Sequence, residues 1–284
     1  MSLLPSPTAL LSQVAGSRVG ARALGATRVM IACAAIAKAG LSVPYFLELE
    51  AQRLALPVLP LPEIPWVLVV LLWAAGGFLL LFGAAVPLSA GLVSLCAWYT
   101  LLLDERTYSN HLLLLALLAL FLAASGGGSL RAGRGVRVPG AAAFLVMTQV
   151  STMYAFAGIA KINPSFFAGD VFVRSVGTDA ALISFAPERF PSLLLTAGAV
   201  GAVCLELFLA AGLWFRTTRR WAFLGGVLLH TTFLLTMSRP LPLLCFALLS
   251  WSAYPLFASW RPARARGPEG PEPEFSPGER RPEA

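Results

Sequence analysis

Eight long apolar runs, each bounded by turn residues or arginines, constrain this chain more than anything else in it. They cover approximately residues 25–43, 65–83, 86–103, 110–125, 140–161, 191–215, 220–237 and 240–258. A helix that crosses a bilayer needs roughly 20 apolar residues, fewer when it packs inside a bundle, so every run qualifies as a span. With 57% hydrophobic and 12% charged residues over 284 positions, the chain is too apolar for a water-soluble domain. The expected fold is all-α, a polytopic transmembrane helical bundle of about eight spans. Residues 1–24 form an N-terminal cytoplasmic or interfacial segment and 25–258 the transmembrane domain. Residues 259–284 form a tail of Pro, Gly, Glu and Arg without apolar periodicity, and such a tail is expected to be disordered. No internal repeat is visible.

Orientation follows from the arginines. Arg18, Arg22 and Arg28 precede the first span, and Arg131, Arg134 and Arg137 separate the fourth and fifth. Arg216, Arg219 and Arg220 separate the sixth and seventh, and Arg261, Arg264 and Arg266 follow the eighth. Eight crossings put all four clusters on one face, which the positive-inside rule makes cytoplasmic together with both termini. The opposite face receives Glu48, Glu50, Glu63, Asp104, Glu105, Asp170, Asp179 and Glu188. It also carries two long loops, Leu41 to Ile64 and Ile162 to Pro191, and long loops often carry function. The second holds Phe166, Phe167, Phe172, Val173 and Phe185, so it is expected to lie in the interface or fold back onto the bundle.

Several functional classes are excluded on the same grounds. The net charge of +7 comes from arginines clustered between apolar runs, so no nucleic-acid partner is expected. Cys33, Cys96, Cys204 and Cys245 each lie inside an apolar run, without metal or redox spacing, and read as packed thiols. Met1 to Leu24 has no positive charge before Arg18, which does not suit a cleavable signal peptide; a short interfacial helix with Leu10, Leu11 and Val14 on one side fits it better. Frequent Arg, Ala and Gly suit a GC-rich genome and hence a bacterial plasma membrane.

Ionisable groups at membrane depth are costly and default to a functional hypothesis. Here they are Lys38, Asp104, His111, Lys161, Glu206 and His230, which include both lysines and both histidines of the chain. Lys161 closes the fifth span, about 20 residues or ~30 Å of helix from its cytoplasmic start, and so is expected at the outer boundary. His111 opens the fourth span on that side. Lys161 is either a snorkelling anchor or, in a dry site that disfavours its charged form, a general base. His111 is either an interfacial helix-start residue or a group that relays the proton. Glu206 and His230 lie ten residues from Arg216 and Arg220 on neighbouring antiparallel spans, so a mutual hydrogen bond is expected, as a structural clasp or a proton path. Lys38 reads as an anchor, and Asp104 as a cap for the following turn or helix. No metal is expected.

Two stretches, D-E-R-T-Y-S-N-H from Asp104 to His111 and A-G-I-A-K-I-N-P-S-F-F-A-G-D from Ala157 to Asp170, resemble the HTTM family, the membrane domain shared with vitamin K-dependent gamma-carboxylase. Glu206, Arg219, Arg220 and His230 extend the resemblance, which covers about Arg22 to Phe257. It implies that Lys161 deprotonates a reduced vitamin K or menaquinol and that His111 assists, with Asn110 beside it. Asp104, Asn163, Phe166, Glu206 and His230 would bind or support. Where the family usually has tryptophan and an acidic residue after the Asn-Pro stop, this chain has Phe166 and Ser165. The carboxylase also carries a large extramembrane domain that engages its protein substrate. Here only a short tail follows the spans, so peptide carboxylation is not expected.

Three functions remain open. One is a quinol-linked membrane enzyme, carboxylase-like or quinol-oxidising, with Lys161 as base at the extracytoplasmic face. Another is a non-catalytic component of the lipid bilayer that binds a quinone or lipid, or assists a protein partner; a weaker resemblance to small DoxX-type proteins points the same way. A carrier is least supported, for want of internal duplication.

Overall fold

The computed structural model describes residues 7–51, 58–125, 127–175, 190–238 and 240–262. A short helix α1 (Pro7–Ala15) and strand β1 (Arg18–Gly20) lead into α2 (Ala21–Glu50), α3 (Trp66–Phe82), α4 (Val86–Leu103) and α5 (Asn110–Ala123). Strand β2 (Arg137–Pro139) precedes α6 (Ala141–Ala160), which is followed by two short helices, α7 (Pro164–Phe167) and α8 (Asp170–Ser175). Then come α9 (Ser192–Gly212), α10 (Arg219–Thr236), α11 (Pro240–Trp251) and α12 (Tyr254–Ser259). Each of the eight apolar runs is helical.

Five of these segments are long and apolar enough to cross a membrane: Ala21–Glu50, Val86–Leu103, Ala141–Ala160, Ser192–Gly212 and Pro240–Ser259. Helices α3 and α5 are apolar but shorter. Consecutive helices pack against one another from α2 to α6; α9 then packs on α6, and the series α9, α10, α11 returns to α2. Helix α5 touches α2, α4, α6 and α11, and its Leu114, Leu115, Leu118 and Leu122 are almost fully buried. Outside, Phe82, Leu88 and Leu193 are over 75% exposed, an apolar periphery that suits contact with acyl chains rather than water.

Polar side chains join the helices where the surroundings offer no water. Thr27 Oγ1 donates to the Ser252 carbonyl at 2.6 Å, at the break between α11 and α12, and Ser94 Oγ donates to the Ala116 carbonyl at 2.9 Å. Arg28, expected in a loop-side cluster, is instead buried within α2. Its guanidinium donates to the carbonyls of Leu80 and Leu81 at the end of α3, where Leu80 also accepts from the Gly83 amide at 3.1 Å. Gly83 follows in the left-handed region at φ 78°, and a Cβ there would lie 2.9 Å from that guanidinium.

The ends of the bundle are tied together. β1 pairs antiparallel with β2, matching Arg18 with Pro139 and Gly20 with Arg137. Arg18 and Arg261 exchange backbone hydrogen bonds at 3.0 and 2.9 Å. The start of α2, the approach to α6 and the exit from α12 therefore meet at one end.

The structure moves several expected boundaries. α2 runs through Pro44 to Glu50, so the loop expected from Leu41 begins about nine residues later. The tail expected from 259 begins beyond Arg261, because backbone pairing holds that residue to β1; residues 263–284 lie outside the described residues. In the expected loop after Ile162, α7 folds back along α9 and buries Phe166 against Ala199 and Val203. Phe185 lies outside the described residues. Cys96 and Cys245 are buried and Cys33 is half-buried, but Cys204 is exposed on α9, against the expectation of four packed thiols.

Candidate functional site

Helix α6 ends at Ala160 with Lys161 as its C-cap, and Asn163 starts the next turn. Asn163 Oδ1 accepts from the Phe166 amide at 2.9 Å while its Nδ2 donates to the Ala160 carbonyl at 3.1 Å, so one side chain serves both helix ends. That cap, with buried Phe166, turns the chain sharply at Lys161. The ammonium donates to both oxygens of Glu206, at 2.9 and 2.8 Å, and to the Ala157 carbonyl at 3.1 Å. Glu206 is 6% exposed and Lys161 27%. Such a pair is anchored between helices, which removes the snorkelling account of Lys161.

The register that allows this pairing also changes its depth. Ser151 accepts from the Trp214 indole at 2.8 Å, Gly158 sits against Leu207, and Lys161 meets Glu206. These contacts lay α9 antiparallel along α6, with α7 packed on its continuation. From Glu206 back to Ser192, α9 extends 14 residues further, roughly 20 Å. Lys161 is therefore level with the body of α9 rather than with its Ser192 end. Counting residues along α6 alone placed it at the rim.

The expected Glu206–His230 hydrogen bond does not form, because Glu206 is engaged by Lys161. His230 Nε2 instead hydrogen-bonds the Tyr154 hydroxyl at 2.9 Å, and that hydroxyl meets the Tyr254 hydroxyl at 3.1 Å. Tyr154 and His230 are 1% and 3% exposed, so α6, α10 and α12 share a dry polar junction. Gly226 makes room for it: a Cβ at that position would overlap the Tyr254 hydroxyl. Sequence reasoning missed both tyrosines because only formally ionised residues were considered at membrane depth. The available signal was Tyr154 itself, a hydroxyl-bearing ring two turns before Lys161.

His111, in the first turn of α5, meets Phe246 in a tilted contact at 4.7 Å between ring centroids, and Phe246 and His230 meet edge to face at 5.3 Å. His230 lies within electrostatic range of both His111 and Lys161. Lys38, expected as an anchor, is 7% exposed, with its ammonium 3.5 Å from Ser109 Oγ. Asp104 is fully buried and accepts from the Arg106 amide at 2.8 Å, capping the turn before α5. Asn110 accepts from the Tyr108 hydroxyl at 3.0 Å.

Between α5, α6 and α11 lies a chamber of about 420 Å³. Leu113, Leu114, Met153, Phe156 and Phe246 give it apolar walls; Tyr108, Asn110, Gln149 and Thr152 add polar groups, and Ala157 and Ala160 bring it against the last turn before Lys161. Mostly apolar walls with a few polar groups are what a small apolar ligand with a polar head requires. Asn110 reaches this lining, whereas His111 is not among its lining residues and Lys161 turns to α9. Asp104, Asn163, Phe166, Glu206 and His230 are not among its lining residues.

A family model, the HTTM domain, matches residues 21–260. No curated protein and no solved structure matches this chain.

Proposed function

We propose, for a chain that belongs to the HTTM family and carries helices apolar enough to span a membrane, that it is a quinol-linked membrane enzyme whose proton acceptor is the Lys161–Glu206 pair. The observation that carries this reading is the pairing of half-buried Lys161 with buried Glu206 at the end of α6, one helical turn from the wall of a largely apolar chamber. The chamber's polar groups suit the oxygens of a reduced naphthoquinone, and its leucine, methionine and phenylalanine walls suit the rings; reduced vitamin K or menaquinol is the candidate ligand.

The pair works as a unit. While the proton is on Lys161, the free acceptor is a Glu206 oxygen. Once the proton has moved to Glu206, Lys161 Nζ has the lone pair and is the base. Either way, the proton removed from a hydroxyl is held on a partly buried pair, where a fixed partner charge has more effect than in water. The chamber's position beside apolar helices lets a membrane-dissolved ligand enter sideways.

Topology is part of the proposal. The exchange of hydrogen bonds between Arg18 and Arg261 supports an even number of crossings between them. Five long helices with α3, α5 and α10 make eight, with both termini cytoplasmic and a bacterial plasma membrane as the setting.

The test uses the purified protein in detergent with reduced naphthoquinone, following oxygen consumption. Lys161→Ala and Glu206→Gln are each expected to lose ~10²-fold or more in rate, as for removal of a general base. Equal rates in wild type and Lys161→Ala would remove the base role. A second reading, a non-catalytic quinone- or lipid-binding component that assists a partner, is favoured by one observation: His111 is not among the residues that line the chamber. It predicts binding of naphthoquinone, lost in Gln149→Leu, without turnover.

A further inference from the structure

The arginine clusters that the sequence scatters over more than 120 positions meet in one basin. Arg137 from β2, Arg216 and Arg219 from the α9–α10 connection, and Arg261 from beyond α12 line a single cavity of about 330 Å³, together with Ser259 and Trp260. Among the described residues no carboxylate lines it.

The four guanidiniums are not equivalent. Arg137 donates to the Ser259 carbonyl at 3.1 Å, and Arg219 donates to the carbonyls of Leu213 and Trp214 at 2.9 and 3.0 Å. Those two are positioned by the backbone and hold their charge in place. Arg216 and Arg261 are exposed, and among the described residues neither side chain makes a hydrogen bond or ion pair. Trp260 also lines the basin, and its buried indole N–H has no acceptor among the described residues. Arg219 is also the first residue of α10, an 18-residue helix whose dipole favours an anion at that end.

Fixed positive charge and two uncommitted planar forks have one chemical complement. We propose that this basin binds a phosphate ester or phosphate ion through Arg216 and Arg261, with Arg137 and Arg219 as positioning residues. Guanidinium forks match tetrahedral oxyanions in paired hydrogen bonds, which a chloride ion cannot reproduce. The anion can come from a lipid headgroup or from solution, since the basin sits at the arginine-bearing end of the bundle.

The full chain is purified in detergent and given equal amounts of phosphatidylglycerol and phosphatidylcholine, and retained lipid is read by native mass spectrometry. In parallel, the thermal midpoint is followed in inorganic phosphate and in chloride at matched ionic strength. A lipid site predicts selective retention of phosphatidylglycerol that falls about tenfold or more in Arg216→Gln/Arg261→Gln. A site for free phosphate predicts instead a phosphate-specific rise in the midpoint, lost in the same variant, with no preference between lipids. Arg131→Gln/Arg134→Gln removes the same charge outside the basin and is expected to keep the wild-type response. Should the first double variant aggregate, Arg216→Lys/Arg261→Lys retains the charge without the fork, and a weakened response is expected. Equal responses in wild type and the basin variants, or an equal loss in the Arg131/Arg134 control, would overturn the proposal.

Discussion

Arg28 and Lys161 both sit where an apolar helix ends, yet they solve different problems. Arg28 supplies donors to two carbonyls at the end of α3, and its removal takes a charged donor from Leu80, which keeps the Gly83 amide, and from half-buried Leu81. Arg28→Ala is therefore expected to destabilise the fold by about 2 kcal/mol, measured as a lowered unfolding midpoint in detergent, with little effect on ligand binding at the distant chamber. Lys161 was conspicuous in the sequence because arginine outnumbers lysine 19 to 2. Glu206 was conspicuous as a carboxylate within a span. That the two meet was not legible, since they lie 45 positions apart and their encounter depends on how far α9 is displaced along α6. Asp104 is the opposite case: its cap involves an amide two residues away, and such local hydrogen bonding can be read from sequence.

At the scale of elements, apolar run length identified the eight helical segments, because burial against lipid and neighbours demands continuous apolar faces. It misplaced ends wherever a tertiary contact extends or stops a helix: α2 continues to Glu50, and Ser259 to Arg261 is held by β1. The register of one helix on another was not legible for a related reason, since counting from the arginines assumes that all helices start in one plane. The contact of Gly158 with Leu207 is what sets the true register of α6 on α9, and a Cβ at Gly158 would lie 2.9 Å from a Leu207 methyl. Gly158→Val is expected to cost about 1–3 kcal/mol by overpacking and to separate Lys161 from Glu206. Leu207→Ala in the same chain should recover part of the loss. Unfolding midpoints of the two single variants and the double variant measure the coupling, and additive effects would mean that the contact does not set the register.

For the whole molecule, the arginine pattern was the most informative long-range signal, because charge segregation across a bilayer relates loops far apart in sequence. The structure brings Arg18, Arg137, Arg216, Arg219 and Arg261 to one end, as that pattern required. In a cysteine-free background, a cysteine at Arg134 is expected to resist a membrane-impermeant maleimide in intact cells and one at Tyr108 to react. The reverse result would invert the topology. The hydrogen bonds between Arg18 and Arg261 have a further consequence for connectivity. A chain whose spans leave and return at neighbouring points has no intrinsic first helix. The polypeptide could be joined there by a short polar linker and opened at exposed Ala84, between α3 and α4, and both new ends would emerge on the side where the old ones were. Order of synthesis would change while the circle of helices stayed the same.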